Sequence, residues 1–257
     1  MKTVSKVDIF GVEVQNTTLN DVSRTLSNNL INKNKTVVYT PNTEIVMAAK
    51  KDITIRDIIN KGDIVIPDGI GLLHGARLKG IRIKERVTGY DTSMKLLDIA
   101  NENGYRLYLL GSKDGIGKKA MDNLSLKYPN LVVSGYHHGY FKGSHFDGNF
   151  SEEENMVVED INNSNTDILF VGFGFPKQEL WINNNKDRLK VSIIIGNGGV
   201  IDILAGEAKR APDIFIKMGL EWLYRLISDP SRVKRQIVLP LFLIQAFFSK
   251  NKIKEIK

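Results

Sequence analysis

The chain alternates short apolar runs rich in β-branched residues with longer segments of helical spacing, and this alternation restricts its fold more than any other feature. Strands separated by helices predict a parallel sheet with helices on both faces. We therefore expect an α/β fold, with a Rossmann-like parallel sheet flanked by helices. Residues 7–14 predict a small antiparallel addition. The predicted strands are residues 36–39, 64–66, 106–110, 131–134, 168–171 and 191–195.

Polar, glycine-rich or proline-rich turns follow these strands. The carboxyl ends of parallel strands share one edge of the sheet, so six such turns are expected to converge on one crevice, where ligands bind. Structural turns use the same residue types, and each turn taken alone favours a plain turn. The turns are residues 40–42, 67–69, 111–112, 135–136, 172–179 and 196–199.

Two of these turns hold candidate catalytic residues. Asp68 follows a predicted strand, and a carboxylate at that edge can act as a general base. The alternative is a turn aspartate that bonds its own backbone. Thr40 and Asn42 end another strand, where they can contact sugar hydroxyls or orient a base. The alternative for them is a cap on the helix that starts near residue 43.

Phosphate-binding signals are present but individually weak. Residues 111–117 follow a strand and open a helix, where backbone N–H groups can hold a phosphate. The stretch is neither a dinucleotide fingerprint nor a P-loop. Arg86 and Asp91 lie in a polar loop, and an arginine there can pair with a phosphate. A solvated loop is the alternative.

Several chemistries are excluded or disfavoured. The chain has no cysteine, which excludes disulfides, thiolate metal sites and cysteine nucleophiles. His137 and His138 are neighbours in a predicted extended segment, so their rings should point to opposite faces and not share a metal. No Asp-x-Asp triplet or Gly-x-Ser-x-Gly elbow occurs. We expect no cofactor and no metal.

The charge is concentrated at the C-terminal end. Residues 205–257 hold eleven Lys or Arg and five Asp or Glu, a net charge of +6 out of +7 for the 257-residue chain. The apolar run at 237–248 is too short to span a bilayer, which needs about 20 residues. Its basic flanks predict a segment lying among lipid headgroups, and the alternative is a helix buried against the core or another subunit. Aliphatic residues dominate where stacking aromatics would be expected, which disfavours nucleic acid.

The expected organisation is an α/β catalytic core at residues 1–204 and a helical, membrane-associating appendage at 205–257. The length and the 42% hydrophobic content suit one large domain with an appendage. The first ten residues lack the apolar run of a signal peptide. We therefore expect a cytoplasmic protein, peripheral at the inner face of the cell membrane. A homo-oligomer is compatible with the sequence.

Six ordered blocks of residues resemble the WecG/TagA/CpsF glycosyltransferase family. The likeness runs from about residue 7 to residue 235, and it is greatest to the members that act in wall teichoic acid synthesis. The order of six blocks is specific, unlike any one of them. The blocks are Thr40-Pro41-Asn42-Thr43-Glu44, Pro67-Asp68-Gly69-Ile70-Gly71, residues 86–91, residues 172–179, Arg210-Ala211-Pro212 and residues 219–225.

The resemblance implies transfer of N-acetylmannosamine from UDP-N-acetylmannosamine to the 4-hydroxyl of undecaprenyl-diphospho-N-acetylglucosamine, with inversion at the anomeric centre. Asp68 matches the family's proposed base, and Thr40 and Asn42 match its neighbours. The expected substrate and UDP contacts are Arg86, Asp91, Gly111, Ser112, Tyr136, Gly174, Pro176, Lys177, Gln178, Glu179, Gly198 and Gly199. The expected diphosphate contacts in the appendage are Arg225, Arg232 and Arg235.

The sequence is compatible with other interpretations. Members of the family also use N-acetylmannosaminuronate or glucose, so the donor sugar is not decided. Asn197 stands where an apolar residue is common in the family, so the resemblance implies no specific contact by Asn197. A nucleotide-dependent oxidoreductase would need a dinucleotide fingerprint that is not found. A membrane-binding module with a vestigial crevice is the non-enzyme alternative.

Overall fold

The computed structural model describes residues 4–230 and 233–256. Six parallel strands form its central sheet: β3 (Thr36–Tyr39), β4 (Ile64–Val65), β5 (Arg106–Gly111), β6 (Val132–His137), β7 (Ile168–Gly172) and β8 (Ile193–Gly196). They are hydrogen-bonded in the order β4-β3-β8-β7-β5-β6. All six predicted strands and their parallel arrangement are confirmed.

The end of β6 differs from the prediction. The strand ends at His137 rather than near residue 134. Gly135 and Tyr136 therefore pair with β5 instead of forming a turn beyond the sheet. Five of the six predicted turns follow their strands at the carboxyl edge, and the sixth starts three residues later.

Helices cover both faces of the sheet, which makes three layers with one apolar core on each side. One face carries α1 (Leu19–Ile31), α5 (Gly89–Asn103), α6 (Ile116–Lys127) and α10 (Val200–Leu204). The other carries α2 (Thr43–Ala49), α3 (Ile53–Asn60), α4 (Ile70–Arg77), α8 (Glu152–Asn163) and α9 (Lys177–Asn185). A short helix, α7 (Ser144–Asp147), precedes α8.

Burial on both faces explains why the strands read as continuous apolar runs. Along β5, Leu107 and Leu109 enter one core, whereas Tyr108 and Leu110 enter the other. All four side chains are almost completely buried. A strand covered by helices on both sides must be apolar on both sides, so its sequence does not alternate.

A second, antiparallel sheet joins the two ends of the chain. The predicted addition at residues 7–14 is a hairpin of β1 (Lys6–Ile9) and β2 (Val12–Gln15). A third strand, β9 (Ile253–Ile256), pairs with β1 on its other side. The sequence did not predict β9, because its four residues carry only two apolar side chains at the end of a basic segment.

The C-terminal segment is helical, as expected. It contains α11 (Asp213–Lys217), α12 (Glu221–Ser228), α13 (Val233–Gln236) and α14 (Val238–Phe248). The inner face of α14 packs on α4, where a Cβ at Gly75 would lie 2.6 Å from the Phe242 ring. Among the residues that the structure describes, no helix is both long enough and apolar enough to cross a membrane. The division of the chain at residue 204 stays a prediction.

Candidate active site

A cleft opens at the carboxyl ends of β3 and β4, and the C-terminal helices form its opposite wall. The core side comes from the loops after the two strands and from the starts of α2 and α4. The other side comes from α12, α13 and α14. The lining residues are Asn42, Thr43, Glu44, Asp68, Gly69, Ile70, Gly71, Arg86, Gly219, Glu221, Trp222, Arg235 and Leu239.

Asp68 lies in this cleft, and the backbone fixes its position. Its amide donates to the Pro41 carbonyl at 3.1 Å, which ties the loop after β4 to the loop after β3. The Gly89 amide, at the start of α5, donates to Asp68 Oδ2 at 3.1 Å. A carboxylate held in this way by backbone groups keeps one orientation, as a general base requires.

Thr40 and Asn42 support the same loops. The Thr40 hydroxyl is buried and donates to the Gly196 carbonyl at 3.1 Å, across β3 and β8. The Asn42 side-chain oxygen accepts from the Ile45 amide at 3.0 Å and caps α2. The helix-cap alternative therefore describes Asn42 in this structure, while its side chain still lines the cleft.

Among the residues that the structure describes, two ion pairs join the core to the C-terminal helices across the cleft. Arg86 Nη2 lies 2.7 Å from Glu221 Oε2, and these side chains are only 13% and 14% exposed. Arg235 Nε lies 3.5 Å from Glu44 Oε1 at the more exposed rim. Within the described part of the chain, the guanidinium groups of Arg86 and Arg235 line the cleft with Asp68, and each faces a carboxylate in a position that a diphosphate could take.

Close backbone contacts tie together the loops after β5, β7 and β8. A Cβ at position 111 would lie 2.5 Å from the Gly172 carbonyl oxygen, so that position requires glycine. The Ser112 hydroxyl donates to Asp202 Oδ1 in α10. The Gln178 side chain is buried and accepts from the Gly198 amide at 3.1 Å. These loops form one continuous rim beside the cleft.

Glu179, next to Gln178, is almost fully buried at 2% exposure. Gln178 Nε2 donates to Glu179 Oε1 at 3.1 Å. Burial raises the pKa of the Glu179 carboxyl to about 7, because removal from water disfavours the charged form. The buried first turn of α9 therefore holds a carboxyl group whose pKa lies near neutral pH.

The sequence model of the glycosyl transferase WecG/TagA/CpsF family matches residues 7–255 of the chain. The chain belongs to this family. A Bacillus subtilis (strain 168) protein is 36% identical over 208 residues, which cover 81% of this chain and 77% of that protein. A Staphylococcus aureus (strain MRSA252) protein is 32% identical over 255 residues, covering 98% and 96%. Both are named N-acetylglucosaminyldiphosphoundecaprenol N-acetyl-beta-D-mannosaminyltransferase.

Most of the site residues that the family resemblance suggested lie in two groups. Asp68, Asn42, Arg86 and Arg235 line the cleft, and Thr40 lies just below it. A second group lies along the neighbouring rim. Arg232 lies outside the described residues, and Arg225 belongs to α12. The rim group is Gly111, Ser112, Gly174, Pro176, Lys177, Gln178, Glu179, Gly198 and Gly199.

Asp91 and Tyr136 lie apart from the cleft of this family member. Asp91 pairs with Arg210 at 2.5 Å and accepts from the Thr88 hydroxyl at 2.7 Å, so it fastens residue 210 to the start of α5. The Arg210 guanidinium lies 4.1 Å from the centre of the Tyr90 ring. Tyr136 packs beside Gly117 on the outermost strand of the sheet.

Sequence reasoning named Arg235 but missed the other side chains that the C-terminal helices contribute to the cleft wall. Glu221, Trp222 and Leu239 line it. Residues 221 and 222 stood in one of the family blocks, but Arg225 was the residue of that block expected to contact a diphosphate. Asn197, for which the resemblance implied no specific contact, is buried, and its Nδ2 donates to the Ser93 hydroxyl at 3.1 Å.

The expectation that the rings of His137 and His138 point to opposite faces is wrong. It assumed a continuous strand, but β6 ends at His137 and the chain bends at Gly139. The two ring centroids are 4.5 Å apart, with 51° between the ring planes. Neither histidine lines the Asp68 cleft.

Proposed function

We propose that this chain transfers N-acetylmannosamine from UDP-N-acetylmannosamine to undecaprenyl-diphospho-N-acetylglucosamine, with inversion, in wall teichoic acid linkage-unit synthesis. One observation carries the proposal: Asp68, Arg86 and Arg235 line a single cleft between the strand ends and the C-terminal helices. The names of the two relatives support the sugar and the lipid acceptor.

The proposed chemistry is a single in-line displacement. The Asp68 carboxylate removes the proton of the acceptor 4-hydroxyl as that oxygen attacks the anomeric carbon. The bond from the anomeric carbon to the UDP oxygen breaks, and UDP leaves with the electron pair. Since the attack and the departure occur on opposite faces, the configuration inverts.

Positive charge must balance the diphosphate as UDP leaves. Arg86 and Arg235 are placed for this, because both lie in the cleft with Asp68. Preorganised cations in a partly dry site stabilise developing negative charge more strongly than water does. Arg225 and Arg232 are proposed to act with them. Each pair with Glu221 or Glu44 would then have to open when a diphosphate binds.

We further propose that the C-terminal segment docks on the inner face of the cell membrane. The outer face of α14 presents large apolar side chains at helical spacing, namely Ile237, Leu241, Ile244 and Phe248, which are 48–77% exposed. Soluble proteins rarely leave such a patch in water. The exposed Lys250 and Lys252 follow it and suit anionic headgroups. The lipid-linked acceptor would then enter the cleft from the bilayer surface.

A donor screen tests the enzymatic proposal. The full chain is incubated with a short-chain lipid diphosphate carrying N-acetylglucosamine, and UDP release is measured for each UDP-sugar. UDP-N-acetylmannosamine should support the fastest acceptor-dependent release, and the product should be β-linked by NMR. Faster release with UDP-N-acetylmannosaminuronate or UDP-glucose would assign another family activity. Binding of NAD with no UDP release from any donor would overturn the proposal.

Vesicle co-sedimentation tests the docking surface. Wild type should bind anionic vesicles, and binding should fall with added salt because headgroup charge is screened. Ile244→Glu should weaken binding at least about tenfold, since it removes one apolar contact and adds repulsion. Ile31→Glu is the matched control, because Ile31 is 66% exposed at the end of α1. Equal binding by the two variants would reject this face of α14.

A further inference from the structure

Three side chains at the edge of the sheet farthest from β4 converge on one point. His137 ends β6, His138 follows it, and Glu153 lies in the first turn of α8. One ligand atom from each residue lies within 4.8 Å of the other two. We propose that His137, His138 and Glu153 form a Zn²⁺ site that fastens the segment after β6 to α8.

The spacing of the three groups fits a metal better than it fits direct contacts. The Nε2 atoms of His137 and His138 lie 4.0 and 3.9 Å from Glu153 Oε1, too far for hydrogen bonds. Zn²⁺ binds nitrogen and oxygen at about 2.0–2.2 Å, which places ligand atoms about 3.5 Å apart. The two distances to Glu153 Oε1 exceed this spacing by about half an ångström, and no pair of ligand atoms exceeds it by more than about 1.3 Å, so small side-chain rotations complete three bonds.

Hydrogen bonding prepares His137 as a ligand. Its Nδ1 lies 2.9 Å from the His138 carbonyl oxygen, and a carbonyl can only accept. The neutral ring therefore carries its proton on Nδ1 and leaves the Nε2 lone pair for a metal. A backbone carbonyl in this position is the usual partner of a metal-binding histidine. The Phe141 ring, edge-on at 5.6 Å, also holds the His137 ring in place.

His138 must exchange its tautomer to bind through Nε2. The Tyr140 amide faces His138 Nδ1 at 3.3 Å, so the neutral metal-free ring carries its proton on Nε2. Metal binding at Nε2 moves the proton to Nδ1 and gives up this long, weak hydrogen bond. The loss is small beside the gain of a metal–nitrogen bond.

The ligand set selects the metal class. Two imidazoles and one carboxylate suit Zn²⁺ and neighbouring transition metals, whereas Mg²⁺ and Ca²⁺ prefer oxygen ligands alone. All three side chains are between 29% and 42% exposed, so an ion can enter and waters can fill its remaining positions.

The metal site would stabilise local structure and would take no part in sugar transfer. It lies at β6, five strands from β4, which is about 24 Å at the usual strand spacing. The segment that it would fasten reaches the rim of the active site, because the Gly139 amide donates to the Ser112 carbonyl at 2.9 Å. A metal there would limit the movement of residues 138–151 relative to α8.

Calorimetric titration of the tag-free, chelator-treated full chain with ZnCl₂ tests the proposal. One equivalent should bind with a Kd of about 10 μM or tighter, and MgCl₂ should give no signal. His137→Gln and Glu153→Gln should each weaken binding at least tenfold. His74→Gln is the matched control, because His74 is exposed on α4. It should bind as wild type does.

Two further readouts separate a metal defect from a folding defect. Zn²⁺ should raise the urea midpoint of wild type and of His74→Gln but not that of Glu153→Gln. Co²⁺ bound to wild type should give a visible d–d band that His137→Gln lacks. The proposal is overturned if wild type binds no stoichiometric Zn²⁺, or if both ligand variants bind it as tightly as wild type.

Discussion

Strands β7 and β8 bury every apolar residue between 168 and 171 and between 193 and 195, each at 0% exposure. In the C-terminal helices, by contrast, Ile214, Ile227, Ile237, Ile244 and Phe248 are 55–77% exposed. Strands β7 and β8 bury their apolar side chains within the protein, whereas the C-terminal helices leave several of theirs exposed to solvent. This difference in exposure is the basis of our proposal that the C-terminal helices dock on a membrane.

The two regions are nevertheless joined. Phe242 and Ala246, on the inner face of α14, are completely buried against the core, and β9 adds to the sheet at the start of the chain. The helix α14 is therefore apolar on both sides, with one side in the core and the other in solvent. This arrangement fixes the position of the cleft wall while leaving an apolar surface outside.

The largest expected effect separates the two sides of α14. Phe242→Ala should lower the free energy of unfolding by about 3–5 kcal/mol, because it leaves a cavity against Gly75. Phe247→Ala, at a side chain that is 61% exposed, should change it by less than about 0.5 kcal/mol. Urea unfolding of both variants measures the difference in unfolding free energy. Equal losses of stability would contradict the distinction between a buried and an exposed side of α14.

The next effect concerns a buried charge within the core. The Glu179 carboxyl has its pKa raised from 4.5 to about 7 by burial. The unfolded chain therefore loses this proton first, so the contribution of Glu179 to stability is fully present below pH 4.5 and is lost as the pH rises through 7. The loss amounts to roughly 3 kcal/mol at most.

Glu179→Gln removes that titration and should flatten the pH dependence of the unfolding free energy between pH 4.5 and 8. The amide is similar in size, and its oxygen can still accept from Gln178. Urea midpoints across this range measure the slope. An unchanged slope would show that another group carries the titration.

The smallest expected effect tests whether the ion pair across the cleft couples the core energetically to the C-terminal helices. A double-mutant cycle with Arg86→Met and Glu221→Gln should give a coupling free energy of about 1–2 kcal/mol in urea unfolding, since the pair is mostly shielded from water. Lys118 and Asp122, a solvent-exposed pair on α6, provide the matched control. Their coupling should stay below about 0.5 kcal/mol. Equal coupling free energies for the two pairs would mean that the Arg86–Glu221 pair does not help to hold the C-terminal helices on the core.

Much of the fold could be predicted because strands that are buried on both faces are continuous apolar runs in the sequence. The runs at residues 106–110 and 168–171 are apolar at every position but residue 106, as strands covered on both faces must be. The predicted edge of the sheet then placed Asp68 and Asn42 together. That inference needs only the shared direction of parallel strands.

Long-range pairings could not be predicted in the same way. Nothing local in β9 indicates that it pairs with β1, because an edge strand of four residues carries little pattern. The pairing of Arg86 with Glu221 joins residues 135 positions apart. The convergence of His137 and His138 depends on where β6 ends, and strand ends are weakly encoded.

Turnover of Asp68→Asn tests the central claim most directly, namely that Asp68 in this shared cleft acts as the base. UDP release with donor and short-chain lipid acceptor should fall by about 10²–10⁴-fold, while UDP binding stays nearly unchanged. The Gly89 amide can still donate to the side-chain oxygen of asparagine, so the loop should keep its shape. Asp57→Asn, an exposed position on α3, makes the same charge change outside the cleft and should retain wild-type turnover. Near-normal turnover by Asp68→Asn would contradict the claim.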